Sequence, residues 1–326
     1  MPTKIELSYK TIVFAVFFLV FLRFLLEIKD IIFWVFVAFI LMSAFKPMAN
    51  SLEKRGVPRI IGIFAIYLLI ILFLVLVGGT LIPPLVVQTG HLVERLPSLL
   101  EHIIPFIQVD VQLLTSQVAP IGENLIRVTV GLFNNIFALF TVFVISFYLL
   151  LERSNLRTFL DNFLGKEIAD KIVVIISKVE ERLGAWVRGQ VALIITIGVF
   201  TFVGLFFLGI PYALPLAIFA GFMEVIPTVG PIISAVPAIL VAFTISPLFA
   251  LFAAGLYLVV QQLENHIVVP YVMRKAVGLP PLVTIIAILI GARLSGIGGA
   301  ILAVPVVVTI ESVVSEYIKL KTQAEK

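Results

Sequence analysis

Six long apolar runs constrain the fold of this 326-residue chain more than any other feature. A helix needs about 20 mostly apolar residues to cross the hydrocarbon core of a bilayer, with a working range of about 17–25. The runs lie at residues 11–28, 31–45, 60–82, 132–151, 189–208 and 245–263. We therefore predict an all-α membrane protein, a polytopic helical bundle with about six full spans.

The composition excludes several classes of protein. Hydrophobic residues make up 61% of the chain and charged residues only 13%, whereas soluble chains average about 25% charged residues. Much of the surface must therefore face lipid. The absence of cysteine excludes disulfides, thiolate metal sites and cysteine nucleophiles, and three histidines argue against a histidine metal cluster. No metal site is predicted.

Two polar segments interrupt the apolar runs. In residues 83–131, Leu and Val recur at helical spacing among Gln, Glu and His, and the prolines at 97, 105 and 120 punctuate the pattern. This pattern favours short amphipathic helices outside the bilayer core. Residues 152–182 form a second segment with helical periodicity, in which Ile172, Ile176 and Val179 share a face.

Lysine and arginine predict how the chain is oriented. Residues 46–59 carry four of them and residues 152–182 carry six, whereas residues 83–131 carry only two. Positively charged loops stay on the cytoplasmic side of a membrane. We therefore expect both termini and the amphipathic segment 152–182 to be cytoplasmic, and the amphipathic insertion 83–131 to be extracytoplasmic.

A broken apolar segment follows the fifth run. Gly209-Ile210-Pro211 opens a run that is too short to span, and Ile226-Pro227-Thr228-Val229-Gly230-Pro231 then interrupts any helix. Non-helical backbone at membrane depth survives only where protein buries it or where it lines a watery cavity. These signals predict a re-entrant hairpin over 209–247, with its tip near 224–230.

The same design recurs 68 to 69 positions later. Gly278-Leu279-Pro280 matches residues 209–211, and residues 298–305 match residues 230–237. A second hairpin is therefore predicted over 278–315, in which Arg293 is the counterpart of Glu224. The residues expected to form the two breaks are Pro227, Gly230, Pro231, Gly298, Gly299 and Pro305.

One full span, 245–263, separates the two hairpins, so they must enter the membrane from opposite sides as an inverted repeat. Helix ends that meet inside a membrane offer unpaired amides and carbonyls to a solute, an arrangement typical of secondary transporters. We expect residues 183–326 to form a transport domain and residues 1–182 to form a scaffold that mediates oligomerisation.

Glu224 and Arg293 are the charged residues at the two predicted tips. A charge at membrane depth costs about 2.5–3.5 kcal/mol on insertion scales, so a carboxylate there indicates function. Glu224 is expected either to bind a proton or cation, or to satisfy exposed amides at the break. Arg293 is expected either to bind an anionic or hydroxyl-rich substrate, or to pair with Glu224.

Polar residues elsewhere complete the predicted site for a small polar solute or monovalent cation. Gln261, Glu264 and Asn265 share a helix face, which would line a polar vestibule or simply be a hydrated helix end. Gln190 opens the fifth apolar run. Thr228 and Ser295 would offer hydroxyls to the solute or cap the broken helices.

The motifs Trp186-Val187-Arg188-Gly189-Gln190, residues 224–231, Gln261-Gln262-Leu263-Glu264-Asn265 and residues 298–305 resemble those of the autoinducer-2 exporter family. These PerM-like permeases are widespread in bacteria. The resemblance implies a location in the bacterial cytoplasmic (inner) membrane and export of autoinducer-2, although some members are sodium or lithium ion/proton antiporters. It also implies a homo-oligomer with an elevator-like movement of the transport domain.

We expect a secondary transporter that exports a small polar solute by an elevator-like mechanism, driven by a proton or sodium gradient. The chain has no phosphate-binding glycine loop and no recognisable catalytic set. We therefore expect no enzymatic activity, no ATP, no nucleic acid and no cofactor beyond a coupling H⁺ or Na⁺. The alternatives are a sodium or lithium ion/proton antiporter, an oligomeric channel, and a non-transporting membrane anchor.

Overall fold

The computed structural model describes residues 9–76, 79, 87, 136–227, 229–273 and 279–324. The secondary structure within these ranges is helical, with no strand. The predicted insertion 83–131, apart from residue 87, lies outside the described residues, and so do Thr228 and Gly278.

The helices alternate with short turns. In chain order they are α1 Tyr9–Glu27, α2 Lys29–Lys54, α3 Arg59–Leu76, α4 Ile136–Glu152, α5 Leu156–Leu164, α6 Lys166–Phe207, α7 Ala213–Met223, α8 Val229–Phe243, α9 Pro247–Leu263, a π-helical turn Glu264–Val268, α10 Val269–Val272 and α11 Pro281–Ala324. Among the described residues, five helices are long and apolar enough to cross a membrane, or six if the bent pair α4 and α5 is one span. The predicted polytopic helical protein is confirmed.

Large apolar side chains are exposed on the outside of most helices. Phe17 is 68% exposed, Leu251 67%, Leu289 66% and Phe207 82%. Water would be a poor solvent for so much apolar area, since burying it from water is strongly favourable. Lipid is therefore the expected solvent for these faces.

Helix α6 is the longest uninterrupted element. Its 42 residues correspond to about 63 Å at 1.5 Å per residue, about twice the thickness of a hydrocarbon core. Residues 166–182 of the predicted amphipathic segment and the predicted span 189–208 therefore belong to one helix, whereas residues 156–164 form the separate helix α5. The expected domain boundary between residues 182 and 183 falls inside this continuous helix.

A charged cluster ties the first half of α6 to neighbouring helices. Glu180 is 1% exposed and forms ion pairs with Lys46 of α2 and with Arg153, which directly follows α4. Arg153 also donates to the Ser177 hydroxyl at 2.9 Å. One carboxylate thus neutralises two cations from separate helices.

The first helical hairpin consists of α7, the turn that contains residues 224–227, and α8; that it is re-entrant stays a prediction. A β-carbon at Gly230 would lie 1.8 Å from the Met223 carbonyl oxygen, so only glycine permits this closeness of α7 and α8. Pro227 lies in the turn, and Pro231 lies in the first turn of α8, where proline is tolerated. Helix α7 also packs closely on α6, since a β-carbon at Gly221 would lie 2.7 Å from the Ile194 carbonyl oxygen.

The second hairpin lies within α11. The backbone leaves the helical conformation at Ser295 (φ −142°, ψ 25°) and Gly296 (φ 60°, ψ −142°). A β-carbon at Gly299 would lie 2.0 Å from the Gly291 carbonyl oxygen, whereas residues eight apart in a straight helix are separated by about 12 Å. The chain therefore reverses, and an N-terminal arm (281–294) packs against a C-terminal arm (297–324).

The turn of this second hairpin lies at the predicted tip, but the prediction for Pro305 was wrong. Gly298 and Gly299 lie in the first turn of the C-terminal arm, whereas Pro305 lies inside that arm, where the backbone stays helical. Membrane helices tolerate proline because neighbouring groups satisfy the freed backbone carbonyl. The side from which each hairpin would enter a membrane stays a prediction.

Candidate functional site

Glu224 lies at the end of α7, as the first residue of the turn in the first hairpin. Its side chain is 1% exposed. Within the described part of the chain, its Oε2 atom has no hydrogen-bond partner. A buried polar atom without a partner destabilises a protein and therefore needs an explanation, which makes Glu224 a candidate binding residue.

Gln190 of α6 holds this turn in place. Its side chain is buried, and its Nε2 atom donates a hydrogen bond to the Glu224 carbonyl oxygen at 2.7 Å. The last carbonyls of a helix have no partner within that helix. Gln190 supplies one, and it thereby anchors the tip of the first hairpin to α6.

Glu264 lies opposite Glu224. It begins the π-helical turn after α9, is 4% exposed, and accepts a hydrogen bond from Gln261 Nε2 at 3.2 Å. The Glu264 carboxyl group is the charged neighbour of the Glu224 carboxyl group, and both side chains are buried. We call these two groups the carboxyl pair. Single π-helical turns occur frequently at functional sites.

The carboxyl pair favours a proton or a monovalent cation as its ligand. Two ionised carboxylates in contact repel each other strongly where water is scarce, so a shared proton or a bound cation relieves the repulsion. Among the described residues, no group of three or more His, Cys, Asp or Glu side chains could hold a metal ion.

The structure thus brings together four of the predicted site residues: Gln190, Glu224, Gln261 and Glu264. Asn265, predicted to share a helix face with Gln261 and Glu264, is exposed; the helix changes from α to π geometry at Glu264. Thr228 lies outside the described residues.

Arg293 and Ser295 are exposed at the turn of the second hairpin. The alternative in which Arg293 pairs with Glu224 was wrong, since the charged neighbour of Glu224 is Glu264. The hairpins meet through apolar side chains instead. Ile226 packs against a small cluster of the second hairpin that consists of Ala287, Ile288, Ala300 and Ala303.

The sequence also matches a known protein family. The sequence model of the family described as "AI-2E family transporter" matches residues 12–319 of this chain. The chain belongs to the AI-2E transporter family. The resemblance of its motifs to autoinducer-2 exporters is thereby confirmed at the level of the family.

Relatives of this AI-2E protein include YueF and YrrI of Bacillus subtilis, each named as a candidate transport protein. YueF is 31% identical over 92% of this chain and 88% of its own length, and YrrI is 26% identical over 89% and 86%. PerM of Escherichia coli, named as a candidate permease, is 25% identical over 68% of this chain and 64% of its own length.

Proposed function

We propose that this AI-2E family protein is a secondary transporter that exports a small polar solute similar to autoinducer-2, driven by protons or sodium ions bound at the carboxyl pair. The observation that carries the proposal is that Glu224 and Glu264 are neighbouring carboxyl groups, both buried, at a break between two helices. Intramembrane carboxylates are costly and mark ion pathways.

The helix ends around the carboxyl pair support a cation as the coupling ion. Helix α7 ends at Met223, so the negative end of its dipole lies beside Glu224. The Gln190 and Gln261 amides fix the two carboxyl residues by neutral hydrogen bonds and leave the negative charge uncompensated. A bound cation would compensate both the carboxylate charge and the helix dipole.

The proposal also specifies how the helices are oriented in the bacterial inner membrane. Both hairpins are re-entrant and enter from opposite sides, with α9 as the span between them. Both termini and the charged cluster around Glu180 are cytoplasmic. Residues 183–326 move relative to the scaffold in an elevator-like manner within a homo-oligomer. The positive-inside distribution of Lys and Arg supports the orientation, and the family resemblance supports the movement and the assembly.

A second candidate function is sodium or lithium ion/proton antiport. The carboxyl pair favours this function because it would accept either a proton or a small monovalent cation on the same oxygens. In that case the two ions would compete for the carboxyl pair, and no organic solute would be needed.

The test uses the purified full-length protein in proteoliposomes with an entrapped pH indicator and an imposed proton or sodium gradient. A panel of small polar solutes, Na⁺ and Li⁺ would be offered as cargo. Glu224→Gln should abolish gradient-driven flux. Glu181→Gln, which replaces an exposed glutamate on α6, is the matched control and should transport like wild type.

Undiminished gradient-driven flux in the Glu224→Gln protein would contradict the proposal. Flux that rises linearly with solute concentration without saturation would indicate a channel instead. Complete absence of flux in the wild-type protein, across all cargoes, would favour the membrane anchor.

A further inference from the structure

Gly189 of α6 lies in close contact with the end of α10. A β-carbon at this position would lie 2.7 Å from the Met273 Sδ atom, 3.2 Å from its Cε atom and 3.4 Å from the Val272 side chain. The first two distances are shorter than carbon and sulfur atoms tolerate, so only glycine lets the chain after α10 approach α6 this closely. Met273 has little room to move aside, because it is buried in an apolar cluster with Trp186 and Leu193 of α6.

Helix α10 continues the π-helical turn that begins at Glu264. The backbone stays in the right-handed helical region at Val268 and Val269, and the Met273 amide donates to the Val269 carbonyl oxygen at 2.8 Å. Continuous helical backbone therefore connects Glu264 to Met273. A shift of α10 away from α6 would move Glu264 with it.

The next residue of α6 holds the other member of the carboxyl pair. Gln190 is buried and donates to the Glu224 carbonyl oxygen at 2.7 Å. Gly189 thus contacts the helix that follows Glu264, and Gln190 contacts the turn that carries Glu224. Because both residues are consecutive on one rigid helix, the separation between Glu224 and Glu264 depends on these two adjacent positions.

We propose that Gly189 is a positioning residue that sets the separation of the carboxyl pair by seating α10 against α6. The proposal rests on the function proposed above, in which the carboxyl pair binds the coupling ion. A β-carbon at residue 189 would displace α10 while Gln190 keeps Glu224 in place, so the two carboxyl groups would move apart. A proton or cation shared by them would then be bound more weakly, because the attraction of each carboxylate falls with distance.

The experiment measures ion affinity in Gly189→Ala, with the full-length protein in proteoliposomes. Gradient-driven flux would be recorded over a range of pH and sodium concentration, which gives the half-maximal ion concentration and the maximal rate separately. Gly189→Ala should raise the half-maximal concentration of the coupling ion by about tenfold or more, the usual effect of disturbing a group that orients ion ligands. The double variant Gly189→Ala, Met273→Ala removes the side chain that the new methyl group meets and should restore the wild-type value.

Gly204→Ala is the matched control. A β-carbon at Gly204 would lie 2.3 Å from the Leu256 side chain, so this variant also strains the packing of α6, but about 22 Å along the helix from Gly189. It should lower the melting temperature and leave the half-maximal ion concentration unchanged. If Gly189→Ala does not accumulate in the membrane, Met273→Ala alone supplies the test, because it removes the same seat and should shift the same concentration.

Labelling with dicyclohexylcarbodiimide examines the carboxyl pair without any flux. This reagent modifies protonated carboxyl groups in apolar surroundings, and mass spectrometry would measure its reaction with Glu224 and Glu264 as a function of pH. The half-maximal pH should shift by about one unit or more in Gly189→Ala, since one unit corresponds to a tenfold change in proton affinity. It should stay unchanged in Gly204→Ala. If Glu224→Gln keeps its flux, the proposed function fails, whereas the labelling still shows whether Gly189 sets the separation of the two carboxyl groups.

Three results would overturn the inference. Wild-type affinity and stability in Gly189→Ala would show that Met273 simply moves aside. A lower melting temperature without a shift in affinity, as expected for Gly204→Ala, would show that Gly189 serves packing alone. A shift that Met273→Ala does not reverse would show that the contact between Gly189 and Met273 is not its cause.

Discussion

Glu224 and Glu264 are neighbouring buried carboxyl groups, one at the end of α7 and the other in the π-helical turn after α9. Gln190 and Gln261 hold the two residues by neutral hydrogen bonds. A structural ion pair would have joined opposite charges here. Neighbouring like charges gain little for folding, which supports the proposal that a ligand binds between them.

Replacing one member of the carboxyl pair should abolish transport without lowering the thermal stability of the protein. Glu264→Gln should retain or raise the melting temperature at neutral pH, because a neutral amide removes the repulsion and can donate a hydrogen bond to Glu224. The same variant should lose gradient-driven flux. Thermal unfolding in detergent and transport in proteoliposomes would be measured on the same preparation.

A marked fall in the melting temperature of Glu264→Gln would contradict this expectation. It would show that the carboxylate of Glu264 stabilises the fold and that lost flux reflects damage to the structure.

Arg293 should contribute little to stability. It is exposed at the turn of the second hairpin, and its predicted pairing with Glu224 does not occur. Arg293→Gln should therefore change the free energy of unfolding by less than about 0.5 kcal/mol, as is usual for exposed positions. Chemical denaturation in detergent would measure this.

A double variant tests separately whether Arg293 pairs with Glu224. If the two side chains paired, exchanging them in the double variant Glu224→Arg, Arg293→Glu would restore the stability and the flux that Glu224→Arg alone loses. We expect no restoration of either stability or flux.

The fold was predictable where the signals were local, and less so where they depended on packing. Glycine and proline act on their own backbone, so the turns near Glu224 and at Ser295 were found from the sequence. The continuity of α6 was not predicted, because residues 152–182 are more polar than residues 189–208 and so appeared to be a separate element. Polarity reports whether a helix faces water or lipid, and a single helix can pass through both.

For the candidate site, too, the sequence indicated single residues but not how they pack together. Glu224 was identified by the cost of placing a charge in an apolar context, Gln190 by its position at the start of an apolar run, and Gln261 and Glu264 by their shared helix face. Their mutual contacts were not predicted, since the repeat register paired Glu224 with Arg293 instead. The contact with Glu264 depends on how α9 packs and on the π-helical turn, and no short-range signal in the sequence specifies that turn.

Glu180 should be essential for stability. It is buried and neutralises both Lys46 and Arg153, so Glu180→Gln would leave two partly buried cations without a counter-charge. Breaking a buried ion pair from one side costs about 3 kcal/mol or more. The neighbouring Glu181 forms an exposed pair with Lys178, and Glu181→Gln should cost less than about 1 kcal/mol.

Unfolding in detergent, followed by intrinsic fluorescence, would compare these two variants. Equal stability of Glu180→Gln and Glu181→Gln would show that the cluster does not tie α2 and α4 to α6.

The close approach of the two arms in the second hairpin predicts a sharp difference between two glycines. A β-carbon at Gly299 would lie 2.0 Å from the Gly291 carbonyl oxygen, whereas one at Gly255 of α9 would have no neighbour within 4 Å. Gly299→Ala must therefore push the arms apart and should cost about 1–3 kcal/mol or more. Gly255→Ala should be neutral or stabilise by up to about 1 kcal/mol, because alanine is the better helix former.

Flux measurements extend this comparison to function. The cluster of Ala300, Ala303 and Ile288 contacts Ile226, two residues from Glu224, so displaced arms would disturb the turn that carries the carboxyl pair. Gly299→Ala should therefore lower gradient-driven flux as well as the melting temperature, and Gly255→Ala should lower neither. A Gly299→Ala protein with wild-type stability and flux would show that the arms do not pack through this contact.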